Sequence, residues 1–226
     1  MKIIGHRGAK NLEPENTLRS IARALEYDVS YIEIDVYRCA SGQIVVIHDE
    51  TVDRTTNGTG LVMQKTLAQL KELDAGKGEA VPTLQEVIEF IDQRVSLIIE
   101  IKDSNAAEVV AELVHSYYKR GWDRASLSIA SFNHYDLMKC KNIRPEIPRM
   151  PIFEGIPLGY TWFVRSLHPA AIILYYGTIN EEFVQDAHTH KIALFAYTVN
   201  DRAVYEHLKQ IGVDAVATDS PDQIRD

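Results

Sequence analysis

From Ser96 onward the chain repeats one unit: a short apolar run, a turn, an amphipathic helical stretch and another turn. Residues 96–102, 126–130, 149–153, 171–175, 193–198 and 215–217 have the length and side-chain type of strands. Helical periodicity separates most of them, over 106–119, 134–141, 181–190 and 202–210, with Gly121 and Gly212 placed to stop two of those helices. Between 149–153 and 171–175 the pattern weakens to an aromatic-rich segment near 160–164. Alternating strands and helices require crossover connections, and crossovers make neighbouring strands parallel.

The first part of the chain follows the same logic with one interruption. Residues 2–5 read as a strand ending in His6-Arg7-Gly8. Asn16 is placed to cap a helix over 17–26, and 31–36 is the next strand. An additional strand, 44–47, ends at His48-Asp49. Residues 50–81 look like an inserted excursion: Thr55-Thr56-Asn57-Gly58-Thr59-Gly60 and Ala75-Gly76-Lys77-Gly78 are loop-like, with one weak helix near 67–73 between them. The alternation resumes at Pro82-Thr83, where Thr83 and Glu86 form a capping box for a helix to about residue 93. Without the additional strand, eight strands remain, which suits a small (β/α)8 TIM barrel with an insertion after its second strand. An open doubly wound sheet is the alternative, though the glycine-rich dinucleotide loop of many such sheets is missing. One domain over residues 1–226 is expected.

Bulk properties narrow the partners. The formal net charge of −8 argues against nucleic acid or an anionic membrane as the main partner, but leaves room for a small anionic substrate beside a local cationic centre. No apolar stretch is long enough to span a bilayer, and the N-terminus lacks the pattern of a secretory signal. Cys39 and Cys140 have neither pairing nor zinc spacing. A soluble protein of the cytoplasm, with no stable membrane association, is the expectation.

In a parallel barrel the reacting groups collect at the C-terminal strand ends. His6 and Arg7 stand there after the first strand, and His48-Asp49 after the additional one. Glu33 and Asp35 lie two residues apart in Tyr31-Ile32-Glu33-Ile34-Asp35-Val36, so they share a face, and Glu100 and Lys102 repeat that spacing. Carboxylates gathered inside a domain need a cation between them. Glu33, Asp35 and Glu100 are hard oxygen donors suited to Mg2+ or Ca2+ rather than zinc. Arg7 and Lys102 suit phosphate oxygens, and two histidines can divide base and acid roles near neutral pH. The other histidines have no such placement. Nucleophile elbows, Walker-type loops and zinc helices are absent. The chemistry that fits is metal-assisted phosphoryl transfer to water or a substrate hydroxyl.

These residues resemble the glycerophosphodiester phosphodiesterase family, of the short bacterial cytosolic type. Gly5-His6-Arg7-Gly8-Ala9, Pro14-Glu15-Asn16-Thr17, Glu33-Ile34-Asp35-Val36, Val46-Ile47-His48-Asp49 and Asp53-Arg54-Thr55-Thr56 follow the family's first part in order. Pro82-Thr83-Leu84, Glu100-Ile101-Lys102, Ser131-Phe132, Tyr197-Thr198-Val199-Asn200 and Thr218-Asp219-Ser220-Pro221 follow its later part. The resemblance implies a (β/α)8 barrel that hydrolyses glycerophosphodiesters to sn-glycerol 3-phosphate and an alcohol. It implies Glu33, Asp35 and Glu100 as ligands of one divalent cation, His6 as base, His48 as acid, and Arg7 and Lys102 as phosphate contacts. The glycerol 2-hydroxyl would attack phosphorus as His6 takes its proton, His48 would protonate the departing alcohol, and water would open the cyclic phosphate. Asp49 either orients His48 or is a solvated loop acid. Tyr197 stands where family members commonly carry tryptophan, keeping a stacking face and adding a hydroxyl. Phe132, Tyr175 and Tyr197 are candidates for an apolar substrate wall, with barrel packing as the other account. Alternatives are a phospholipase C-like or sphingomyelinase D-like lipid phosphodiesterase, or an inactive phosphoester-binding barrel. The physiological alcohol, the favoured metal and the oligomeric state are open at this level.

Overall fold

The computed structural model describes residues 1–224; residues 225 and 226 of the expected domain lie outside the described residues. The strands are β1 (Lys2–His6), β2 (Tyr31–Arg38), β3 (Ile44–Val46), β4 (Ser96–Ile101), β5 (Leu127–Ser131), β6 (Arg149–Phe153), β7 (Ala171–Tyr175), β8 (Ala193–Tyr197) and β9 (Ala215–Thr218). They form one nine-stranded sheet in the order β1-β9-β8-β7-β6-β5-β4-β2-β3, and β1 also pairs with β2. That pairing closes the ring and excludes an open sheet. With β3 set aside, every pairing round the ring is parallel. The fold is a (β/α)8 barrel.

The helices are α1 (Leu18–Leu25), α2 (Leu67–Lys71), α3 (Leu84–Ile91), α4 (Ala107–Lys119), α5 (His134–Ile143), α6 (Glu181–Thr189) and α7 (Arg202–Gln210). Where the periodicity weakens, β6 and β7 are joined by a 3-10 helix at Trp162–Leu167. The strand pleat sorts side chains into two layers. Ile32, Ile34, Val36, Ile99 and Ile101 point outward into the core shared with the helices. Ile4, Ile98, Ala130, Ile173, Phe195 and Ala217 fill the barrel interior. Glu33, Asp35 and Glu100 occupy the inward positions near the top of this filling.

Two local features shape the upper face. β3 pairs antiparallel with the outer end of β2. With the excursion that follows, it encloses a separate apolar nucleus of Cys39, Val45, Ile47, Val52, Val62, Leu70, Ala75 and Val81. The Thr83–Glu86 capping box forms as expected. The cap of α1 does not: Thr17, one residue later than predicted, accepts from the Ser20 amide. Asn16 instead adopts a left-handed conformation (φ 58°) that asparagine tolerates. Its side chain turns inward, donating to Asp35 Oδ2 at 2.9 Å. Thr17 already caps the helix, and the buried Asp35 carboxylate takes the Asn16 amide.

Candidate active site

Strand register sets the first contacts. His6 is level with Glu33 across β1 and β2, and Asp35 is level with Glu100 across β2 and β4. All three carboxylates are buried, and each offers an oxygen within 4.8 Å of the others'. Glu33 Oε2 accepts from the backbone N–H of Arg7 at 3.0 Å, whereas its buried Oε1 has no protein partner. The glycine after Arg7 is required by packing: a Cβ at Gly8 would overlap the backbone and hydroxyl of Ser20.

Cations surround the cluster without balancing it. Lys102 Nζ lies 2.7 Å from Glu100 Oε1 and 3.7 Å from Asp35 Oδ1. Arg7 Nε lies 3.2 Å from Asp35 Oδ2, but its guanidinium also donates to Glu15 Oε1 at 2.8 Å. Two cations, one of them shared with a fourth acid, face three carboxylates. Burial first, then the charges of Asp35 and Glu100, hold the Glu33 carboxyl well above the usual range. Burial and the Asp35 charge push Glu100 up to about 7. The donors fit a hard divalent cation: they are oxygens, they converge, and one oxygen is left buried and unpaired.

A carboxyl whose pKa rises on folding contributes most stability below its unfolded value of about 4.5, and that contribution is lost as pH rises through the folded value. His48 opposes this, because burial depresses its pKa, but two carboxyls outweigh one imidazole. Chelator-treated protein is therefore expected to lose melting temperature between about pH 5 and pH 7.5, and saturating divalent ion should flatten that decline. A melting temperature that climbs across this window would contradict a repulsive cluster.

The histidines flank the carboxylates, each with an acid on its Nδ1. His6 Nδ1 lies 2.5 Å from Asp219 Oδ1. His48 Nδ1 lies 2.6 Å from Asp49 Oδ1, and its Nε2 is 3.3 Å from Lys102 Nζ. Asp49 is therefore a partner of His48, not a free loop acid. Arg54 clamps it, with Nε to Oδ2 at 2.7 Å and Nη2 to Oδ1 at 3.0 Å. The same guanidinium bridges to Glu15 at 2.9 and 2.8 Å. The hydrogen bonds from Arg54 hold the Asp49 carboxyl far below its usual value. A chain of charge thus runs from His48 through Asp49, Arg54 and Glu15 to Arg7.

Every predicted site residue lies on this face. His6, Glu33, Glu100, Phe132 and Tyr197 line one cavity, floored by Ile4, Ile98 and Ala217. Phe132 and Tyr197 meet edge to face with centroids 6.0 Å apart. The Tyr197 hydroxyl donates to Glu154 Oε1 at 3.0 Å. Tyr175 stands 6.4 Å from the Tyr197 ring but projects to solvent rather than into the cavity lining. Sequence reasoning assigned no part in the site to Glu15, Asn16, Arg54, Asn200 or Asp219. Asp219 had a usable signal, since it directly follows β9 at the same end of the barrel as His6.

Fold and site define a barrel enzyme equipped for phosphoester chemistry: an oxygen-donor cluster, two oriented imidazoles and two phosphate-sized cations. A profile of the glycerophosphoryl diester phosphodiesterase family matches residues 6–223. A glycerophosphodiester phosphodiesterase of Caldanaerobacter subterraneus is 35% identical, over 98% of this chain and 95% of the relative. One from Bacillus subtilis is 31% identical, over 97% and 83%. An Oleispira antarctica phosphodiesterase, solved in complex with the product sn-glycerol-3-phosphate, superposes with a TM-score of 0.91 at 32% identity, covering 99% and 95% of the two chains. A glycerophosphodiester phosphodiesterase from Agrobacterium tumefaciens superposes with a TM-score of 0.85 at 31% identity, covering 99% and 98%. The chain belongs to the glycerophosphoryl diester phosphodiesterase family.

Proposed function

We propose that the protein hydrolyses glycerophosphodiesters to sn-glycerol 3-phosphate and a free alcohol, using one divalent cation, Mg2+ or Ca2+, held by Glu33, Asp35 and Glu100. The observation that carries this is the convergence of three buried carboxylates between two imidazoles that are each aimed by an acid. The names of the relatives and the product bound to the Oleispira enzyme support the substrate class. When bound, the cation offsets phosphate charge and lowers the proton affinity of an oxygen nucleophile.

The protein's own groups divide the remaining work. His6, with Nδ1 on Asp219, turns Nε2 toward Glu33 and the cavity, where it takes the proton of the glycerol 2-hydroxyl. His48 delivers a proton to the departing alcohol; its depressed pKa makes the imidazolium a stronger acid. Arg7 and Lys102 face the non-bridging phosphate oxygens, and Lys102 stands beside the His48 ring. Phe132 and Tyr197 give the glycerol carbons an apolar wall. Opening of the cyclic phosphate by water reverses the two histidine roles.

The test is removal of metal with chelator, then return of Mg2+ or Ca2+ singly, following sn-glycerol 3-phosphate release from glycerophosphocholine. Activity should vanish and return with one of the two ions. Full turnover after stripping would sink the cation assignment. A lipid-directed reading has one observation in its favour: Ile156, Leu158 and Trp162, in the connection between β6 and β7, are exposed. Faster turnover of phospholipid vesicles than of glycerophosphocholine would favour it.

We take residues 1–226 as one domain, because β3 joins the excursion's apolar nucleus to the barrel sheet. No helix among the described residues is long and apolar enough to cross a membrane. Both cysteines are free and buried, which supports a reducing compartment such as the cytoplasm.

A further inference from the structure

Asp219 follows β9 and is separated from His6 by 213 positions, yet β1 and β9 pair directly and bring the two together. The Asp219 side chain is almost wholly buried. Burial opposes its ionisation, but hydrogen bonding to His6, the charge of His6 and the Asn200 amide prevail, and its pKa falls to about 2. An ionised carboxylate can only accept, so the proton in the 2.5 Å contact belongs to His6 Nδ1. In the neutral ring this leaves the lone pair on Nε2, which lies 3.9 Å from Glu33 Oε2.

Asn200 seats this carboxylate. Its Oδ1 accepts from the Asp219 backbone N–H at 2.9 Å and from Thr218 Oγ1 at 3.0 Å. Two donors on one atom fix the amide's orientation, which directs Nδ2 to Asp219 Oδ2 at 2.9 Å. The Asp219 carbonyl also accepts from the Asn11 backbone. Lys10 Nζ stands 3.6 Å from Oδ1, beyond hydrogen-bond range. The two histidine–acid pairs therefore differ. Asp49 is partly exposed and shares its charge with a guanidinium. Asp219 is buried, its second oxygen is held by a neutral amide, and among the described residues no guanidinium competes with the imidazole.

We propose that Asp219, seated by Asn200, is the positioning residue that fixes the tautomer and aim of the His6 ring. This rests on His6 acting as the base. An Asp219 that merely tied down the 218–221 turn would need the Asn200 contacts but not an oxygen on the imidazole.

The test uses the cation-loaded enzyme with Asp219→Asn, which preserves shape but can present an N–H to the ring. The imidazole then changes tautomer and loses the free Nε2 lone pair. Turnover of glycerophosphocholine should fall by about 100-fold, with KM changed by less than about threefold. Nitrogen-15 shifts of the His6 ring should move from the Nδ1–H to the Nε2–H pattern. Asn200→Ala should show the same split, with kcat down by about tenfold. Wild-type kcat in Asp219→Asn, or a lost kcat with an unchanged His6 tautomer, overturns the proposal. If Asp219→Asn does not fold, Asn200→Ala decides by the kcat–KM split alone, since its Asp219 still holds the proton on Nδ1; a wild-type kcat there overturns the proposal. His6→Gln separates this from failure of the base assignment. Activity surviving in His6→Gln removes His6 as base, whereas an inactive His6→Gln beside a fully active Asp219→Asn removes only the role of Asp219.

Discussion

Replacing Glu33 with glutamine is expected to weaken divalent-cation binding by at least about 100-fold and turnover by about 1,000-fold. Glutamine keeps an oxygen for the Arg7 amide, so the turn after β1 should stay in place. What it removes is one of three charges, on the residue whose Oε1 is buried and unpaired. The stability effect should run the other way. In cation-free protein at neutral pH, Glu33→Gln relieves repulsion with Asp35 and Glu100, so the variant should melt above wild type. Calorimetric cation titration and melting with and without chelator measure both effects. Unchanged cation affinity would mean that the ion, if one is needed, is held elsewhere.

His48→Ala should lower kcat on glycerophosphocholine by about 1,000-fold, with KM close to wild type. The size of the loss should depend on the leaving group. Choline is a poor one and needs a proton as the P–O bond breaks, whereas a nitrophenolate departs without one. On a glycerophospho-nitrophenyl ester the defect of His48→Ala should largely disappear, while that of His6→Ala should persist. An equal loss on both esters would mean that His48 does not act on the departing oxygen.

Much of this site was legible because a strand's period of two is rigid. Glu33 with Asp35, and Glu100 with Lys102, could share a face only if those segments were extended, and the apolar residues between them needed the opposite face. The barrel followed from crossover connections, and β1–β2 closure confirms it. Asn16 was less legible, because asparagine serves equally well as a helix cap or as a partner for a buried acid. Only the tertiary position of Asp35 decides between them. Arg54 and Glu15 lie in loops, where no periodicity states a direction. Asp219 was within reach: the strand-end rule that selected His6 applies equally to β9. The Tyr197 hydroxyl had no visible use until Glu154, on the loop after β6, came within 3.0 Å of it.

The pairing of β1 with β9 makes the site depend on the order in which the chain becomes available. Glu33, Asp35, Glu100 and both histidines all precede β5, but Asp219 comes only after β9. A nascent chain can gather its carboxylates while His6 still lacks its acid partner. Competence then arrives with the last strand rather than growing in steps. Recovery of activity during refolding would therefore time the pairing of β1 with β9, a long-range event, and should lag behind the return of helical signal.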